Sequence, residues 1–422
     1  MTIDRSALAE RAQGMIDALA SISAEPGRLT RLYLSEEHKA AARLVSEWMR
    51  DAGLTVRMDA AGSVRGTLPA GRSAQTTERR LLIGSHIDTV VDGGRFDGTL
   101  GVIAGILAVE NLRARGVALP FGLEVIAFGD EEGVRFPKTL IGSSTVAGIL
   151  DTTALDTVDA DGVTMSEALR AFGGDPHALD DEAYASDDVL GYLEVHIEQG
   201  PVLEQAGKPL GAVSAIASQG RYRITIIGEA GHAGTVPMAV RHDALAAAAE
   251  VILAIEAAAT KRSADSCVAT VGALQVSPGA SNVIPGAATF SLDLRAATDE
   301  SRTTAAAEVR DYLRDVGHRR GVKVSMDAVH EKPVATCAPR LGKAIGGAIE
   351  RVTGAPPVTM MSGAGHDGQA MVSLTEIGMM FVRCRGGISH NPLEFVEPDD
   401  MGVAVLALSE TVRTLADDSG QG

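Results

Sequence analysis

The stretch GSHIDTVVDGGRFDG at residues 84–98 concentrates polar side chains that could bind a metal ion. It follows the apolar run LLI, and His86, Asp88 and Asp97 lie in it among several glycines. Residues two apart in an extended segment point to the same face, so Asp88 could hold one ring nitrogen of His86. The glycines would let the chain fold back and bring Asp97 towards His86. A glycine- and aspartate-rich loop with a solvated histidine is the simpler alternative, and the stretch by itself does not decide between them.

A second acidic cluster, Asp130, Glu131 and Glu132, ends the predicted buried strand FGLEVIAFG. Three adjacent acids are costly at the end of an apolar strand unless a positive charge compensates them, which a metal ion would do. Two adjacent glutamates cannot easily face one ion, so one would bind the metal while the other would face the attacking water. The alternative is a solvated acidic turn.

Two further predicted strands of the same layer end in a histidine, His196 in YLEVHIEQG and His390 in GGISHNPLE. Histidine nitrogens combined with carboxylate oxygens suit zinc or a similar divalent ion in a hydrolytic site. Four strand ends would then supply one shared carboxylate and two further ligands for each of two metal ions. This joint pattern is more specific than any single part of it.

Other histidines carry weaker signals. His38 and His318 are predicted to lie on polar helical surfaces, and His177 and His330 lie in acidic or loop segments. His242 opens a predicted helix. For the first four of these histidines we expect ordinary solvated side chains, and His242 could simply occupy the start of its helix.

The elements that position the polar strand ends follow from the apolar pattern. Residues 35–54 predict an amphipathic helix with Ser35 as its N-cap and Gly53 at its end. The helix LGVIAGILAVENLRARG separates the apolar strands RRLLIG and FGLEVIAFG. This order predicts an α/β fold whose mixed, largely parallel sheet is flanked by helices. The carboxyl ends of its parallel strands would meet at one edge, where α/β proteins place functional groups. Residues 150–190 predict short helices and loops.

A second unit interrupts this layer. The order of predicted elements after residue 215 is strand RYRITIIGE, a long alanine-rich helix, strands SCVATVGALQV and AATFSLDLRAA, a second helix and strand VKVSMDAVHE. This βαββαβ order is that of a ferredoxin-like sandwich. We therefore predict a catalytic domain formed by residues 1–214 and 329–422, with an inserted domain at 215–328.

Composition excludes several classes of function. The chain of 422 residues has a formal net charge of −17, so nucleic acid and anionic membrane partners are not expected. No apolar run approaches the ~18 residues of a membrane span, and the polar N-terminus lacks the apolar core of a signal peptide. The three cysteines form no CxxC pair, which is typical of a reducing, cytoplasmic compartment.

Eight motifs together carry a resemblance to a known family. They are GSHIDTVVDGGRFDGTLG, DEEGVRFP, HIEQGPVLE, GEAGHAGTVPM, SNVIPG, LDLR, SGAGHD and ISHNPLE. In this order, over nearly the whole chain, they resemble the allantoate amidohydrolase and N-carbamoyl-L-amino acid hydrolase family. Its distant relatives are the zinc peptidases of the aminoacylase and carboxypeptidase G type. The resemblance implies a zinc-peptidase-like catalytic domain, and an inserted domain that closes over the substrate and joins two subunits into a homodimer.

The resemblance also implies a ligand set. Asp97 would bridge two divalent metal ions, zinc or else manganese, cobalt or nickel. His86 and His196 would complete one metal position, and Glu132 and His390 would complete the other. A histidine rather than an acid at position 196 is typical of the branch of the family that hydrolyses ureido groups.

Two more acids would act in catalysis by the same resemblance. Asp88 would orient His86, and Glu131 would take a proton from the attacking water and return it to the leaving nitrogen. A metal ion lowers the pKa of a bound water towards ~7 and polarises the poorly electrophilic ureido carbonyl. Because a protein that only binds its ligand would not need Glu131, its presence argues against a regulatory protein without turnover.

The inserted domain would supply groups that bind the substrate. The matching positions are His232, Asn282 and Arg295, and the Arg295 guanidinium could hold a substrate carboxylate. Without the resemblance, these would be a loop histidine, a turn residue and an arginine in a surface ion pair. Three further residues would line the pocket: Gln199, Gly363 and His366. Some of these groups could serve the site of the partner subunit.

The substrate would be a small ureido acid. EEGVRFP is more similar to members that act on allantoate, releasing ammonia and carbon dioxide and leaving ureidoglycine in purine catabolism. HNPLE and FDG are shared with N-carbamoyl-L-amino acid hydrolases, which remain the alternative. A dehydrogenase is not indicated because GTLGVIAG lacks the GxGxxG spacing. A serine or cysteine hydrolase is not indicated because no suitable nucleophile elbow is present.

Overall fold

A computed structural model describes residues 4–71 and 77–419. The chain divides into two compact units, Met1–Ser214 with Thr336–Gly422, and Ala215–Ala335. The second unit ends after Ala335 rather than after residue 328, because its last long strand runs on to Lys332. The predicted boundary was too early there.

The strands of the described residues are these, in chain order: β1 Thr55–Met58, β2 Val64–Leu68, β3 Arg80–His86, β4 Gly122–Phe128, β5 Val189–Ile197, β6 Leu210–Ile216, β7 Ser218–Ile227, β8 Gly231–His232, β9 Val268–Thr270, β10 Leu274–Ser277, β11 Val283–Ile284, β12 Ala287–Ala296, β13 Lys323–Lys332, β14 Ala335–Thr336, β15 Val358–Ser362 and β16 Ile377–Val382.

The α-helices of the same residues are these: α1 Arg5–Ala20, α2 Glu36–Asp51, α3 Thr99–Ala114, α4 Ile141–Val146, α5 Met165–Phe172, α6 Val202–Gln205, α7 Ala244–Thr260, α8 Asp299–Arg320, α9 Pro339–Thr353, α10 Gly368–Met371 and α11 Pro398–Ser419. Short 3-10 helices lie at Thr152–Asp156, Asp180–Glu182 and Ser186–Asp188, and again at Met238–Val240, Ser263–Asp265 and Arg385–Gly387. Residues 150–190 thus form short helices and loops, as predicted. Among the described residues, no helix is both long and apolar enough to cross a membrane.

The first unit is built on a nine-stranded mixed sheet with the order β1-β2-β4-β3-β5-β16-β6-β14, in which β15 also pairs with β6. The four central strands β4, β3, β5 and β16 are parallel. Every residue of β4 and of β16 is buried, since both strands are almost wholly apolar. Helix α3 packs on β3, β4 and β5, and α11 packs on α1, α3 and α9. The structure therefore confirms an α/β fold with a largely parallel central sheet flanked by helices.

Helix α2 shows a success and an error of the sequence prediction. The Ser35 side chain accepts a hydrogen bond from the His38 backbone amide, which confirms the predicted N-cap. His38, however, is completely buried rather than solvated. Its Nδ1 accepts a hydrogen bond from the Leu34 amide at 3.1 Å, and its ring stacks on Phe172 at 4.9 Å between centroids. Burial lowers the pKa of His38 to about 4, so the imidazole is neutral near pH 7.

The second unit has the predicted βαββαβ order. Its antiparallel sheet runs β10-β12-β7-β13, and β9 also pairs with β12. Alternate residues of β7 and β12, such as Ile224 and Leu292, are buried with the apolar faces of α7 and α8 in a core of this unit. The predicted strand over 266–276 is two short strands, β9 and β10. A separate two-stranded antiparallel sheet, β8 with β11, pairs His232 with Val283.

Candidate metal centre

The carboxyl ends of the central parallel strands bring the predicted ligands together. His86 is the last residue of β3, and His196 is the penultimate residue of β5. Glu131 and Glu132 follow β4, and His390 follows β16 in the chain. Because β4, β3, β5 and β16 are neighbours and parallel, their following segments lie at one edge of the sheet. Asp130, with a φ of 65°, turns the chain directly after β4.

Asp97 reaches this edge from the loop that leads into α3. The next residue, Gly98, caps the helix with a φ of 61°. A Cβ atom at Gly98 would lie 2.4 Å from the Nε2 atom of His86. Only glycine therefore allows this turn to approach the imidazole so closely.

The Asp97 carboxylate lies at the centre of the site. Its Oδ1 is 3.1 Å from His196 Nε2 and 3.8 Å from His86 Nε2. Its Oδ2 is 3.2 Å from His390 Nε2, which is in turn 3.6 Å from Glu132 Oε1. Each carboxylate oxygen thus faces a different pair of candidate ligands.

Three groups of side chains among the described residues place possible ligand atoms within 4.8 Å of one another. Two of them share Asp97: it groups with His86 and His196, and separately with Glu132 and His390. The third group joins Glu131 and Glu132 to His86. Mixed nitrogen and oxygen ligands at this spacing fit zinc, manganese, cobalt or nickel. The residues present therefore fit divalent metal ions, with Asp97 common to both positions.

Hydrogen bonds fix how the two buried histidines face Asp97. His86 Nδ1 lies 3.1 Å from the carbonyl oxygen of Asp88 and 3.4 Å from its carboxylate Oδ1. His196 Nδ1 lies 3.0 Å from the Ile197 carbonyl oxygen. In both rings Nδ1 is engaged and Nε2 faces the centre, which is how ligand histidines are usually oriented.

Asp88 also connects two strand ends. Its carboxylate oxygens accept hydrogen bonds from the backbone amides of Glu131 and Glu132, at 3.1 and 3.2 Å. Asp88 therefore contacts His86 on β3 and at the same time hydrogen-bonds to the backbone of the two glutamates that follow β4. This second contact was not predicted from the sequence.

Arg31 supports the same corner of the site, although no sequence pattern singled it out. Its side chain is fully buried, and its guanidinium donates hydrogen bonds to the carbonyl oxygens of Ile87, at 2.7 Å, and Leu19, at 2.8 Å. Burial lowers its pKa to about 10, against the opposing effect of the nearby Asp88 carboxylate. The guanidinium remains charged near neutral pH and fixes the backbone between His86 and Asp88.

The charges of the site shift several pKa values. Burial raises the pKa of Glu131 well above its usual value, with His86 opposing the shift and Glu132 adding to it. Burial and the Asp97 charge raise the pKa of Glu132 to about 7. The hydrogen bond with Asp97 raises the pKa of His390 to about 9, against burial. Carboxylates this close stay charged only if a positive partner is present, and divalent cations would supply that charge.

Further hydrogen bonds connect Asp97 to residues that are not candidate metal ligands. Gln199, at a φ of 55°, donates from Nε2 to Asp97 Oδ2 at 2.9 Å and to Ser389 Oγ at 3.1 Å. Glu394 is buried and accepts hydrogen bonds from the backbone amides of Phe96 and Asp97. The sequence predicted a role for Gln199 but none for Ser389 or Glu394, because nothing in the local pattern links residues so far apart in the chain.

The GAGHD loop brings His366 to the centre. His366 is buried, its Nε2 lies 2.7 Å from Ser362 Oγ, and its ring centroid lies 4.3 Å from that of His196. Gly363 is exposed, and a Cβ atom there would have no heavy atom within 4 Å. His366 therefore packs against a candidate ligand.

The three predicted substrate-binding residues of the inserted domain lie in the second unit. His232 and Asn282 are neighbours at the two-stranded β8–β11 sheet, where the Ala233 amide donates to the Asn282 carbonyl oxygen at 3.0 Å. Arg295 donates from Nε and Nη2 to the two carboxylate oxygens of Asp293, at 2.8 and 3.0 Å. This ion pair within one strand is the simpler of the two interpretations that the sequence allowed for Arg295.

Comparisons with known proteins identify relatives of this chain. The sequence profile of peptidase family M20/M25/M40 matches residues 82–414. The chain is 40% identical to an allantoate deiminase of Arabidopsis thaliana, over 98% of this chain and 83% of that protein. It is also 40% identical to an N-carbamoyl-L-amino acid amidohydrolase of Geobacillus stearothermophilus, over 96% of this chain and 98% of that protein. The crystal structure of a hydantoinase/carbamoylase family amidase from Burkholderia multivorans superimposes with a TM-score of 0.88 at 32% identity, covering 97% of this chain and 98% of that chain.

Proposed function

Because the chain belongs to peptidase family M20/M25/M40, we propose that it is a dinuclear metal-dependent amidohydrolase that acts on allantoate. The chain is a hydrolase of carbon–nitrogen bonds with a cluster of candidate metal ligands. The finer proposal is that it hydrolyses one ureido group of allantoate. Ammonia, carbon dioxide and ureidoglycine would be the products, as a step of purine catabolism.

One observation carries the proposal of two metal ions: the two oxygens of Asp97 face different pairs of ligand atoms. His86 and His196 would hold one ion, and Glu132 and His390 would hold the other. When bound, the two ions would polarise the ureido carbonyl and acidify the attacking water. Zinc, manganese, cobalt and nickel are all compatible with these ligands.

Glu131 is proposed as the catalytic base and acid. Its backbone amide is fixed by Asp88, and its carboxylate groups with His86 and Glu132 within 4.8 Å. The carboxylate would accept a proton from the attacking water and later deliver it to the leaving nitrogen.

Two groups of residues are proposed to recognise the substrate. His232, Asn282 and Arg295 of the second unit would bind the substrate, with the Arg295 guanidinium holding a carboxylate in place of Asp293. Gln199 and His366 of the first unit would line the substrate pocket beside the metal ions. Gly363 remains in this proposal through the resemblance of its motif alone.

The proposal is tested by measuring ammonia release from allantoate and from a panel of N-carbamoyl-L-amino acids. The protein is purified, freed of metal and reconstituted with zinc, manganese, cobalt or nickel in turn. We expect the highest kcat/KM with allantoate and negligible release from the metal-free protein. A higher kcat/KM with any carbamoyl amino acid would replace allantoate by that substrate, and turnover independent of metal would overturn the proposal altogether.

An N-carbamoyl-L-amino acid hydrolase is the second candidate. The chain matches the Geobacillus stearothermophilus relative over nearly the whole of that protein, but matches a smaller share of the Arabidopsis thaliana relative. The two relatives are equally identical to the chain, so overall similarity does not favour either substrate. The substrate panel distinguishes them directly.

We also propose that the second unit joins two subunits into a homodimer. Its strand β10 lies at an edge of the sheet, and Leu274 on β10 and Val268 on β9 are 44% and 55% exposed. An edge strand with exposed apolar side chains can pair with an identical strand of a second copy. Sedimentation velocity should give twice the mass of one chain, and Leu274→Asp should shift it to the monomer. A monomeric native protein would contradict this proposal.

The three cysteines are free and buried. Free thiols support the proposal that the protein works in a reducing compartment, the cytoplasm, rather than outside the cell.

A further inference from the structure

The carboxylate of Glu394 lies between two loops that each supply a candidate metal ligand. Its Oε1 accepts hydrogen bonds from the backbone amides of Phe96, at 2.8 Å, and Asp97, at 3.1 Å. Its own loop begins after β16 and includes His390. Glu394 is only 3% exposed. A buried carboxylate that accepts two backbone amides fixes the position of the chain that carries them.

The opposite loop is shaped to receive this side chain. A Cβ atom at Gly94 would lie between 2.1 and 2.3 Å from the three carboxyl atoms of Glu394. Any larger residue at position 94 would therefore displace the carboxylate. Gly94 thus serves a contact with a residue far away in the chain, and not only the local turn.

Ser389 extends the contact to the Asp97 side chain. Its hydroxyl lies 3.0 Å from Glu394 Oε2 and 2.9 Å from Asp97 Oδ2. Glu394 therefore contacts the backbone amide of Asp97 directly. It contacts the Asp97 carboxylate through Ser389. Ser389 directly precedes His390, so the same set of bonds fixes that histidine's segment.

We propose that Glu394 is a positioning residue that keeps the Asp97 carboxylate and the His390 segment in the register needed for two metal ions to share Asp97. The inference rests on the proposed dinuclear centre and assigns the residue that holds its two loops together. Replacing Glu394 should affect the two metal positions to different extents. His86 and His196 are held by β3 and β5, whereas His390 lies in a loop and depends on Glu394 and Ser389 for its placement.

The contribution of Glu394 would come from its reach and its acceptor oxygen rather than from its charge. Two variants separate these properties. Glu394→Gln keeps the length and one acceptor oxygen for the two amides, and its amide group can donate to Ser389. Glu394→Asp keeps the charge but is shorter by one methylene, so it cannot span to the Phe96 and Asp97 amides and to Ser389 together.

The test is metal binding by the full-length protein. Metal-free protein is dialysed against a series of buffered free manganese concentrations, and bound manganese per subunit is measured by elemental analysis. We expect two ions per subunit for the native protein, with two affinities. Glu394→Asp should weaken the affinity for the second ion by ~10–100-fold and the affinity for the first ion by much less. Both affinities of Glu394→Gln should stay within a few-fold of native.

Glu397→Gln is the matched control, because Glu397 is an exposed acid of the same segment that pairs with Arg385 and does not contact Asp97. It should bind manganese as the native protein does. Urea unfolding of each metal-free variant shows whether it is folded, and if Glu394→Asp is not, Ser389→Ala takes its place with the same expected selectivity for the second ion.

Native binding of both ions by Glu394→Asp, or equal losses at both positions, would overturn the inference. So would a loss in Glu394→Gln as large as that in Glu394→Asp. Because the measurement needs no substrate, a protein that hydrolyses neither allantoate nor carbamoyl amino acids but binds manganese in the expected pattern would refute the proposed function and leave this inference standing. A native protein that binds fewer than two ions would refute the inference itself.

Discussion

At the scale of single residues, replacing Glu131, the proposed catalytic base, would separate catalysis from metal binding. Its side chain groups with His86 and Glu132, but the two triads that share Asp97 are complete without it. We expect Glu131→Gln to lower kcat by ~10²–10⁴-fold, since an amide of the same size cannot accept the proton of the attacking water. Bound metal per subunit should stay at the native level. Ammonia release and elemental analysis of the same preparation measure both quantities.

Glu204→Gln provides a comparison for Glu131→Gln, because Glu204 is an exposed acid of the same unit whose carboxylate accepts the Gly386 amide and contacts none of the candidate ligands. Its kcat should remain near native. Substantial activity in Glu131→Gln with intact metal content would assign the proton transfers to another group.

Gly98 provides a test of how closely the Asp97 loop approaches His86. We expect Gly98→Ala to lose both stability and metal affinity, because the new Cβ would meet the His86 imidazole and the positive φ disfavours alanine. Gly116→Ala is the matched control, since Gly116 has a φ of 67° and a Cβ atom there would have no heavy atom within 4 Å. Both variants carry ~1–2 kcal/mol of backbone strain, but only Gly98→Ala should weaken metal binding, by ~10-fold or more. Equal metal affinity in the two variants would contradict a direct contact with His86.

What the sequence could predict at this scale depended on local chemistry. His86, Asp97 and Glu132 follow or end apolar strands beside glycines, and such residues are visible in a single sequence. Glu394 and Arg31 act through contacts with backbone groups far away in the chain. Their own neighbours in the sequence contain no sign of those contacts, so only the folded structure identifies them.

At the scale of elements, α2 shows why a periodic pattern does not fix which polar side chains are buried. The helix and its N-cap were predictable from the spacing of apolar residues and from Ser35. His38 counted as a polar position in that pattern, yet its ring is enclosed by Tyr33 and Phe172. A histidine can be buried when its nitrogen accepts a backbone hydrogen bond, here from Leu34, and the sequence does not show that partner.

His38 makes the stability of the fold depend on pH. Its folded pKa of about 4 lies below the usual 6.5, so its contribution is complete above pH 6.5 and is lost as the pH falls towards 4. Between pH 8 and pH 5 this group should lower the free energy of unfolding by about 2 kcal/mol. His38→Asn keeps an acceptor for the Leu34 amide but does not titrate. Urea unfolding of both metal-free proteins at the two pH values should show a smaller decrease for the variant, and equal decreases would contradict the assignment.

The strands were predictable where they are apolar throughout, and less so where they are exposed. The buried strands β3, β4 and β16 were predicted from their continuous apolar sequences, and their parallel pairing followed from the intervening helices. The predicted strand over 266–276 is instead divided into β9 and β10, because its residues lie at the edge of the sheet, where only β12 pairs with them. The short strands β8, β11 and β14 have too few residues to produce a pattern.

At the scale of the whole molecule, the two units have separate hydrophobic cores, and every candidate metal ligand lies in the first. We therefore expect chelation of the metal to destabilise the first unit only. With free metal ~1,000-fold above its dissociation constant, the loss would be about 4 kcal/mol per site. Calorimetry of the full chain with and without chelator measures it.

The fragment of residues 215–335 is the control for this experiment, since it contains one complete core and none of the ligands. It should unfold cooperatively at the same temperature with and without chelator. A fragment that does not fold, or one whose unfolding temperature depends on metal, would contradict the independence of the two units.

The place of β16 in the sheet has a consequence for how the protein is made on the ribosome. β16 lies between β5 and β6, but about 160 residues are synthesised between the end of β6 and the start of β16. At ~5–20 residues per second this leaves β5 and β6 without their shared neighbour for roughly 10–30 s. The inserted unit can fold during that interval, whereas the main sheet cannot be completed without β16. Since His390 emerges later still, the proposed metal position that includes His390 would be among the last parts of the site to form, and a nascent chain stalled before β16 would expose apolar strand edges to chaperones.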